Sequence, residues 1–213
     1  MTTIAIFGAS GQTGQQLTKQ ALKQGYVVKA LVRNPAKLST QNPNLKVIHG
    51  DLTNPAQVDE TVRDTDAVLS VIGAAKGSPS DIKVIATRNI RAAMTKNGVK
   101  RYIRLSSAAF GEPEPGDAVS LGNKMMGALV KTMLAAEVQD ERQSTALTKE
   151  SNLDWTIVRA LAPLNNQPAT GRYQAGRIGV EVKGSISRAD LASFMLDELK
   201  HGKYVRQSPG VGN

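Results

Sequence analysis

The sequence predicts an α/β fold in which one doubly wound parallel sheet carries helices on both faces and a small C-terminal cap. Three observations predict it. Short apolar runs alternate with longer segments of helical spacing, which is the pattern of repeated β-α units. The runs are largely continuous, as in parallel strands that are buried on both faces. With 213 residues and no linker or internal repeat, the chain is expected to form a single domain over residues 1–213.

Six strands are predicted, in chain order TIAIF, YVVKALV, LKVIHG, DAVLSVIG, KRYIRLSS and LDWTIVRA. The segment after the first strand, GQQLTKQALKQG, predicts a helix whose apolar residues share one face and which Gly25 ends. The segment after the fourth strand, DIKVIATRNIRAAMTKNG, predicts a second helix by the same spacing. Ligands of such folds bind beyond the carboxyl ends of the strands, so function is expected in the loops that follow them.

The C-terminal half predicts further elements of the same domain. Helix-favouring residues from Leu121 to Glu150 predict one long or broken helix, and SRADLASFMLDELK predicts another with Ser187 as its N-cap. The stretch PLNNQPATGRYQAGRIGVEVKG predicts a loop followed by a small hairpin. Trp155, at the start of a predicted strand, is expected in the core. Residues 107–190 are expected to supply the substrate-side loops and the cap.

Composition excludes several function classes. The chain has no cysteine, so it has no disulfide, no thiolate nucleophile and no cysteine-ligated zinc. Its two histidines, His49 and His201, make a histidine metal cluster or a serine-histidine triad improbable. No apolar run approaches the roughly 20 residues of a membrane span, and no secretory signal precedes the first strand. We therefore expect a cytoplasmic protein without a membrane partner.

The formal net charge is +9, with a pI of about 9.9. The basic residues are scattered from Lys19 to Arg206 without a block of like charges, which favours a solvated surface over a nucleic-acid interface. A basic field still attracts a phosphorylated cofactor or an anionic substrate.

The segment GASGQTG places three glycines between the first strand and a helix expected to begin at Gln12. Gly8 would permit the turn, Gly11 the close approach of a phosphate, and Gly14 the packing of helix against strand. Backbone N–H groups and the helix dipole would then face a pyrophosphate. We therefore interpret this segment as a cofactor-binding turn of a Rossmann-type domain rather than a purely structural corner. The cofactor-binding residues predicted in it are Gly8, Ser10, Gly11, Gln12, Thr13 and Gly14.

The ends of the next strands extend the predicted cofactor site. The second strand ends in KALVR, where Arg33 offers donors suited to a ribose 2′-phosphate, and Lys37 adds a second positive charge. This favours NADPH over NADH. Asp51 and Leu52, after the third strand, are expected beside the adenine, whereas His49 is expected to point into or beside the sheet. After the fourth strand, small residues let the chain approach the cofactor; the predicted residues there are Ile72, Gly73 and Ala74.

The segments IAIFGASGQTG, LVRNPAKL, HGDLTN, DAVLSVIG, TRNIRAAM, LDWTIVRA and NNQPATGRY, and SRADLASFML after them, cover nearly the whole chain. In these segments the sequence resembles the atypical short-chain dehydrogenases/reductases of the NAD(P)H-binding, NmrA-like group, most closely the biliverdin-IXβ reductase/flavin reductase enzymes. The resemblance implies a Rossmann-type domain that binds NADPH and reduces flavins, biliverdin-like tetrapyrroles or quinone-like acceptors. FMN or another flavin is then expected as a substrate rather than as a tightly bound cofactor.

The usual catalytic pair of short-chain dehydrogenases, a tyrosine four residues before a lysine, is missing. The residues four positions after the tyrosines at 26, 102, 173 and 204 are Ala30, Ser106, Arg177 and Ser208. Carbonyl reduction with a tyrosine acid is therefore not expected. Flavins and bilins can take hydride at a conjugated centre and a proton from water, so they depend less on a strong acid.

The resemblance also suggests residues beside the nicotinamide. Ser107 matches a serine that lies near substrate in the flavin/biliverdin reductases, and we expect it to hydrogen-bond the substrate or the nicotinamide amide, with Ser106 as its cofactor-side neighbour. Where those enzymes carry two histidines, this chain has Glu141 and Pro163. The loop from Pro163 to Gln167 is expected to line the nicotinamide side. Pro163 and Leu164 are its predicted cofactor contacts, and Asn165 and Asn166 its predicted substrate contacts.

Two alternatives remain open at this point. The first is a non-catalytic sensor, in which NADP(H) binding alters affinity for a protein partner. The second is nucleic-acid binding through the basic surface, which would show a strong salt dependence. Neither involves a planar acceptor, the small-molecule partner that a reductase would need.

Overall fold

The described residues of a computed structural model, 1–38, 40–75, 77–118 and 132–213, form one eight-stranded sheet and five α-helices. The strands are β1 (Thr3–Phe7), β2 (Val27–Val32), β3 (Leu45–His49), β4 (Ala67–Ser70), β5 (Arg101–Ser107), β6 (Asp154–Ala160), β7 (Gln174–Gly176) and β8 (Gly210–Gly212). The helices are α1 (Gln12–Lys23), α2 (Pro55–Val62), α3 (Ile82–Lys96), α4 (Ala135–Lys149) and α5 (Arg188–His201). All six predicted strands are confirmed.

The strand order is β3-β2-β1-β4-β5-β6-β8-β7, and every neighbouring pair is parallel except β7 and β8. From β1 the chain first builds outwards to β2 and β3, then returns to the other side of β1 with β4. The carboxyl ends of β1 and β4 therefore diverge at a topological switch point, which is where doubly wound sheets bind ligands.

Helices cover both faces of this sheet, as the apolar runs predict. Helices α1 and α5 pack on one face against a core that includes Ile4, Leu69 and Val158. Helices α2 and α3 pack on the other face with Phe7 and Trp155, and α4 lies against α3. Trp155 is only 7% exposed, which confirms its expected place in the core. None of the described helices combines the length and the apolar character needed to cross a membrane.

Local signals set several boundaries. Helix α1 ends at Lys23, just before Gly25, whose φ of +85° lies in the left-handed region. Ser187 caps α5, because its side chain accepts a hydrogen bond from the Asp190 amide. The predicted helix from Leu121 to Glu150 is confirmed over α4, and its earlier part, residues 121–131, lies outside the described residues.

The predicted hairpin within residues 163–184 is wrong. Strand β7 pairs antiparallel with β8, a strand more than thirty residues further along the chain, so that β8 lies between β6 and β7. A glycine of β8 permits this close packing, since a Cβ on Gly210 would lie 3.1 Å from the carbonyl oxygen of Gly176 in β7. A three-residue strand, Gly-Val-Gly, has too little apolar pattern to be recognised from the sequence.

Candidate cofactor and acceptor site

Residues 8–14, termed here the phosphate turn, connect β1 to α1 at the switch point. Gly8 has φ +86°, and a Cβ there would lie 2.7 Å from the Val71 carbonyl oxygen at the end of β4. A Cβ on Gly14 would lie 2.0 Å from the Gly8 carbonyl oxygen, so Gly14 allows α1 to pack against the turn as expected. The turn is closed by the Gly11 amide, which donates to the Gly8 carbonyl at 3.0 Å.

The first turn of α1 is open to an anion. Gly11 is its N-cap and supplies no side-chain acceptor, and the first turn contains no acidic residue. By contrast, Asn54 caps α2 and accepts hydrogen bonds from two amides of its first turn. Unpaired N–H groups and the positive end of the helix dipole form a ready anion site.

The ribose end of the predicted site is also assembled. Gln15 Nε2 donates to the Ser10 carbonyl at 3.1 Å and to the Lys37 carbonyl at 3.4 Å, which joins the phosphate turn to the 3-10 turn at Pro35–Lys37. Arg33 and Lys37 are exposed there. Arg33 Nε lies 3.9 Å from the Asp51 carboxylate, so both lie at the same edge of the sheet.

Asp51 is held as a carboxylate by its surroundings. The Thr53 amide and hydroxyl donate to it at 2.8 Å and 2.7 Å, and these bonds together with Arg33 lower the pKa of Asp51 below its ordinary value. Leu52 packs against the core under α3, and its carbonyl accepts from Asn89 at 2.7 Å. His49 is exposed and contacts the Arg33 carbonyl at 3.1 Å, beside the sheet as expected.

A cavity of about 220 Å³, termed here the sheet-edge cavity, lies beyond the carboxyl ends of β4, β5 and β6. It begins next to the phosphate turn, because Gly8 backs onto Val71 and Ile72, and Ile72 lines the cavity. Six predicted site residues line it: Ile72, Gly73, Ala74, Ser106, Ser107 and Leu164. The rest of its lining is Lys83, Leu105, Phe110, Glu137, Glu141, Ala160 and Ala162.

The two serines at the end of β5 have different surroundings. Ser106 is buried and hydrogen-bonds the Glu141 carboxylate on α4. Ser107 is half-buried; within the described part of the chain its hydroxyl accepts a single long bond of 3.3 Å, from the Ala109 amide, which leaves its proton available. Both serines line the cavity, but the Ser106 hydroxyl is already directed to Glu141, whereas the Ser107 hydroxyl stays available to a bound molecule.

The loop after β6 is only partly arranged as expected. Leu164 lines the cavity, whereas Pro163, Asn165 and Asn166 are exposed and do not. The Asn165 side chain accepts from the Gln167 amide at 3.0 Å, and Asn166 accepts from Arg188 at 2.9 Å. Both asparagines therefore stabilise the loop and its contact with α5, as turn residues do.

A buried charged network forms the floor of the cavity, and most of it was not predicted. Glu141 is 1% exposed and accepts from Lys83 Nζ and Arg104, each at 2.7 Å. Burial opposes ionisation of Glu141, but Arg104 and Lys83 outweigh it and hold the pKa of Glu141 below its ordinary value. Asp140, next to it, accepts from the Lys83 and Val84 amides at 3.0 Å and 2.9 Å, and so caps α3 from α4.

No local pattern in the sequence predicts this network. Glu141 was noticeable only as a departure from the flavin/biliverdin reductase pattern, and Lys83 lies within an ordinary amphipathic helix. A charged residue at the first turn of the helix that follows β4 was the available hint, since that turn opens onto the sheet edge.

A larger cleft of about 540 Å³ lies beside β6, β7 and the segment before β8. Its charged residues are largely paired with each other: Arg159 donates to Asp117 at 2.5 Å and 3.2 Å, and Arg177 contacts Glu181 at 3.3 Å. None of the predicted site residues lines it. We therefore assign the chemistry to the sheet-edge cavity, which adjoins the phosphate turn.

The chain is similar to proteins of one family over almost its whole length. The YwnB protein of Bacillus subtilis is 29% identical over 211 residues, which are 96% of this chain and 95% of that protein. A short-chain dehydrogenase/reductase structure from Veillonella parvula superposes with a TM-score of 0.79 at 25% identity, covering 100% of this chain and 94% of that one. Another short-chain dehydrogenase/reductase structure from that organism, in complex with NADP, gives 0.77 at 24% identity with the same coverage.

A family model described as NAD(P)H-binding matches residues 8–202, from the first glycine of the phosphate turn to the end of α5. The closer likeness to biliverdin-IXβ and flavin reductases stays a prediction. On its fold, its phosphate turn and this match, the chain belongs to the NAD(P)H-binding family of atypical short-chain dehydrogenase/reductase proteins.

Proposed function

We propose that this protein is an NADPH-dependent reductase that transfers hydride to a planar conjugated acceptor such as a flavin, a biliverdin-like tetrapyrrole or a quinone. The observation that carries the proposal is the junction of two features. The uncapped start of α1 suits a pyrophosphate, and the sheet-edge cavity begins at Ile72, directly behind Gly8. A dinucleotide extended along this edge would bring its nicotinamide to the cavity.

The preference for NADPH is supported by Arg33. Its Nε is engaged with Asp51 at 3.9 Å, and within the described residues its two terminal nitrogens have no hydrogen bond. A guanidinium presents paired donors that match a phosphate. A 2′-phosphate would therefore find at least one cation at this position, with Lys37 nearby at the end of the 3-10 turn that follows Arg33.

The chain's own residues fit reduction of a conjugated acceptor. NADPH would supply the hydride, and the apolar wall of Ile72, Leu105 and Leu164 would exclude water from it. Ser107 would orient the nicotinamide amide or the acceptor through its available hydroxyl. No tyrosine stands four residues before a lysine, which disfavours the usual carbonyl chemistry. Binding and orientation would then supply much of the rate.

The proposal is tested by following the absorbance of reduced nicotinamide with the purified protein. FMN, biliverdin and a quinone are added in turn, each with NADPH and with NADH. We expect acceptor-dependent consumption of NADPH in preference to NADH. Tight NADPH binding without turnover on any acceptor would contradict the reductase proposal. It would favour the sensor alternative, in which the same phosphate turn serves a protein partner. The single-domain organisation, the cytoplasmic location and the lack of a nucleic-acid partner stay predictions.

A further inference from the structure

We propose that Lys83 stabilises, and then protonates, the anion that forms when the acceptor takes up hydride, and that Glu141 and Arg104 hold it in place. This inference rests on the proposed function and assigns a catalytic residue to the same site. It is independent of Ser107, whose expected role is to orient.

The Lys83 ammonium group lines the cavity and has hydrogen-bond donors available to a bound molecule. Lys83 lines the sheet-edge cavity, its side chain is 12% exposed, and its Nζ lies 5.5 Å from the centre of the Phe110 ring. Its charged partner is Glu141, at 2.7 Å. An ammonium group has three donors, so up to two remain for an acceptor oxygen or nitrogen in the cavity.

The Glu141 carboxylate is shared between Lys83 and Arg104, so it does not cancel the charge of Lys83. Its other oxygen accepts from Arg104 at 2.7 Å, and Arg104 is 3% exposed. Ser106 and Thr145 add hydrogen bonds to the same carboxylate. The group of Lys83, Glu141 and Arg104 therefore has a formal charge of +1, of which the Lys83 end borders the cavity.

Among the residues that the structure describes, two further carboxyl groups lie near Lys83, those of Asp140 and Glu137. Asp140 directs both carboxylate oxygens to the amides of Lys83 and Val84, and burial raises its pKa above the ordinary value. Glu137, from the start of α4, lines the cavity and is half-buried. Among the described lining residues, Lys83 is the one cation.

The proposed step balances as follows. The acceptor gains a hydrogen nucleus with its bonding electron pair from the reduced nicotinamide, which is oxidised by two electrons. The acceptor becomes an anion, because it has gained two electrons and one proton. The Lys83 ammonium donates a second proton to that anion, which leaves the doubly reduced neutral acceptor and a neutral amine. Solvent then returns a proton to Lys83. A fixed cation favours this step because the acceptor carries more negative charge in the transition state than in the bound ground state.

The test compares Lys83→Met and Lys83→Arg with Lys96→Met, a matched control at the other end of α3 whose Nζ also contacts a carboxylate, at 2.9 Å. We expect Lys83→Met to lower kcat by on the order of 100-fold, the usual effect of removing a group that stabilises charge or transfers a proton in the transition state. Its Kd for NADPH should stay unchanged, and the isotope effect with 4-deuterated NADPH should rise. Lys83→Arg should recover part of kcat, and Lys96→Met should behave as wild type.

A binding measurement gives a readout other than turnover. 2-Hydroxy-1,4-naphthoquinone is an anion at neutral pH and imitates a reduced quinone, whereas 1,4-naphthoquinone is neutral. With NADP present, Lys83→Met should raise the Kd of the anionic compound at least about tenfold and leave the Kd of the neutral quinone unchanged. A tenfold change in Kd corresponds to about 1.4 kcal/mol. Equal effects on both compounds, or turnover within twofold of wild type, would overturn the inference while the reductase function stands. If the wild-type protein reduces no acceptor, the proposed reductase function and the proposed role of Lys83 are both wrong.

Discussion

We propose that Arg33, a single side chain at a strand end, selects between NADPH and NADH. It follows the last residue of β2, is exposed, and has Asp51 as a neighbour across the strand ends. A carboxylate alone at this edge would accept hydrogen bonds from a ribose 2′-hydroxyl. On our proposal, the added guanidinium would shift the preference towards a 2′-phosphate, and Asp51 would limit that shift.

Arg33→Asp should weaken NADPH binding at least about tenfold and affect NADH much less, since a hydrogen bond to a charged group contributes on the order of 1.5–3 kcal/mol. Titration calorimetry with both nucleotides measures this. Lys46→Asp, an exposed position near the start of β3, makes the same change in charge away from the site. Equal losses for NADPH and NADH would show that Arg33 does not contact the 2′-phosphate.

Ser107→Ala should lower turnover more than it weakens NADPH binding, because the hydroxyl is expected to orient the reacting groups rather than anchor the cofactor. Steady-state kinetics with FMN, together with the Kd for NADPH, separates the two effects. Ser106→Ala is the contrasting variant, because its hydroxyl is already directed to Glu141. A Ser107→Ala protein with the wild-type rate would remove this role from Ser107.

Residues in a linear motif were predictable, and residues brought together by packing were not. Gly8 directly follows β1, Gly14 lies in the first turn of α1, and Ser107 ends β5, so their positions follow from one strand and the segment next to it. Lys83 and Glu141 are 58 residues apart and meet only because α4 packs across the start of α3. No local pattern encodes that contact.

At the scale of elements, the phosphate turn packs tightly against the first turn of α1. Gly14 lies within α1, where a Cβ would collide with the backbone of Gly8. The atoms in the way are backbone atoms, which cannot move aside as the end of a flexible side chain can. The spacing of the glycines predicted this element, while the pairing of β7 with β8 required a contact distant in sequence and was missed.

Gly14→Ala should lower the free energy of unfolding by about 1–3 kcal/mol or more, the usual cost of overpacking. Gly73→Ala is the matched control, because no atom lies within 4 Å of the Cβ it would gain. Urea unfolding of both variants without nucleotide makes the comparison. If Gly14→Ala were as stable as Gly73→Ala, the close packing of α1 on the turn would be disproved.

At the scale of the whole molecule, the chain has 27 basic and 18 acidic residues, so each carboxylate that pairs with a base reduces the repulsion among positive charges in the folded protein. Asp59 on α2 accepts from Lys96 at 2.9 Å, Asn97 at 2.9 Å and Arg63 at 3.0 Å, and so joins α2 to the end of α3. Lys96 is the leading cause of a pKa lowered to about 2 at Asp59. Protonating this group removes a contact and adds to an already positive charge.

The stability that Asp59 contributes should be complete above about pH 4 and should be lost as the pH falls towards 2, because its folded pKa lies below its ordinary value of 3.8. Asp59→Asn should therefore be less stable than wild type at pH 7 and should lose less on acidification. Urea unfolding at several pH values between 7 and 2.5 measures this, with the exposed Asp81→Asn as control. Parallel pH curves for wild type and Asp59→Asn would contradict the assignment.

The sheet-edge cavity has a consequence for how this molecule can change over evolutionary time. Its wall is drawn from five separate stretches of chain, around residues 72–74, 83, 105–110, 137–141 and 160–164, whereas the phosphate turn is one short continuous segment. A single substitution at a lining position without a predicted cofactor contact, such as Phe110 or Glu137, would reshape the wall and leave the phosphate turn unchanged. We therefore expect a duplicated copy of this gene to diverge sooner in the acceptor proposed for this cavity than in the nucleotide proposed for the phosphate turn.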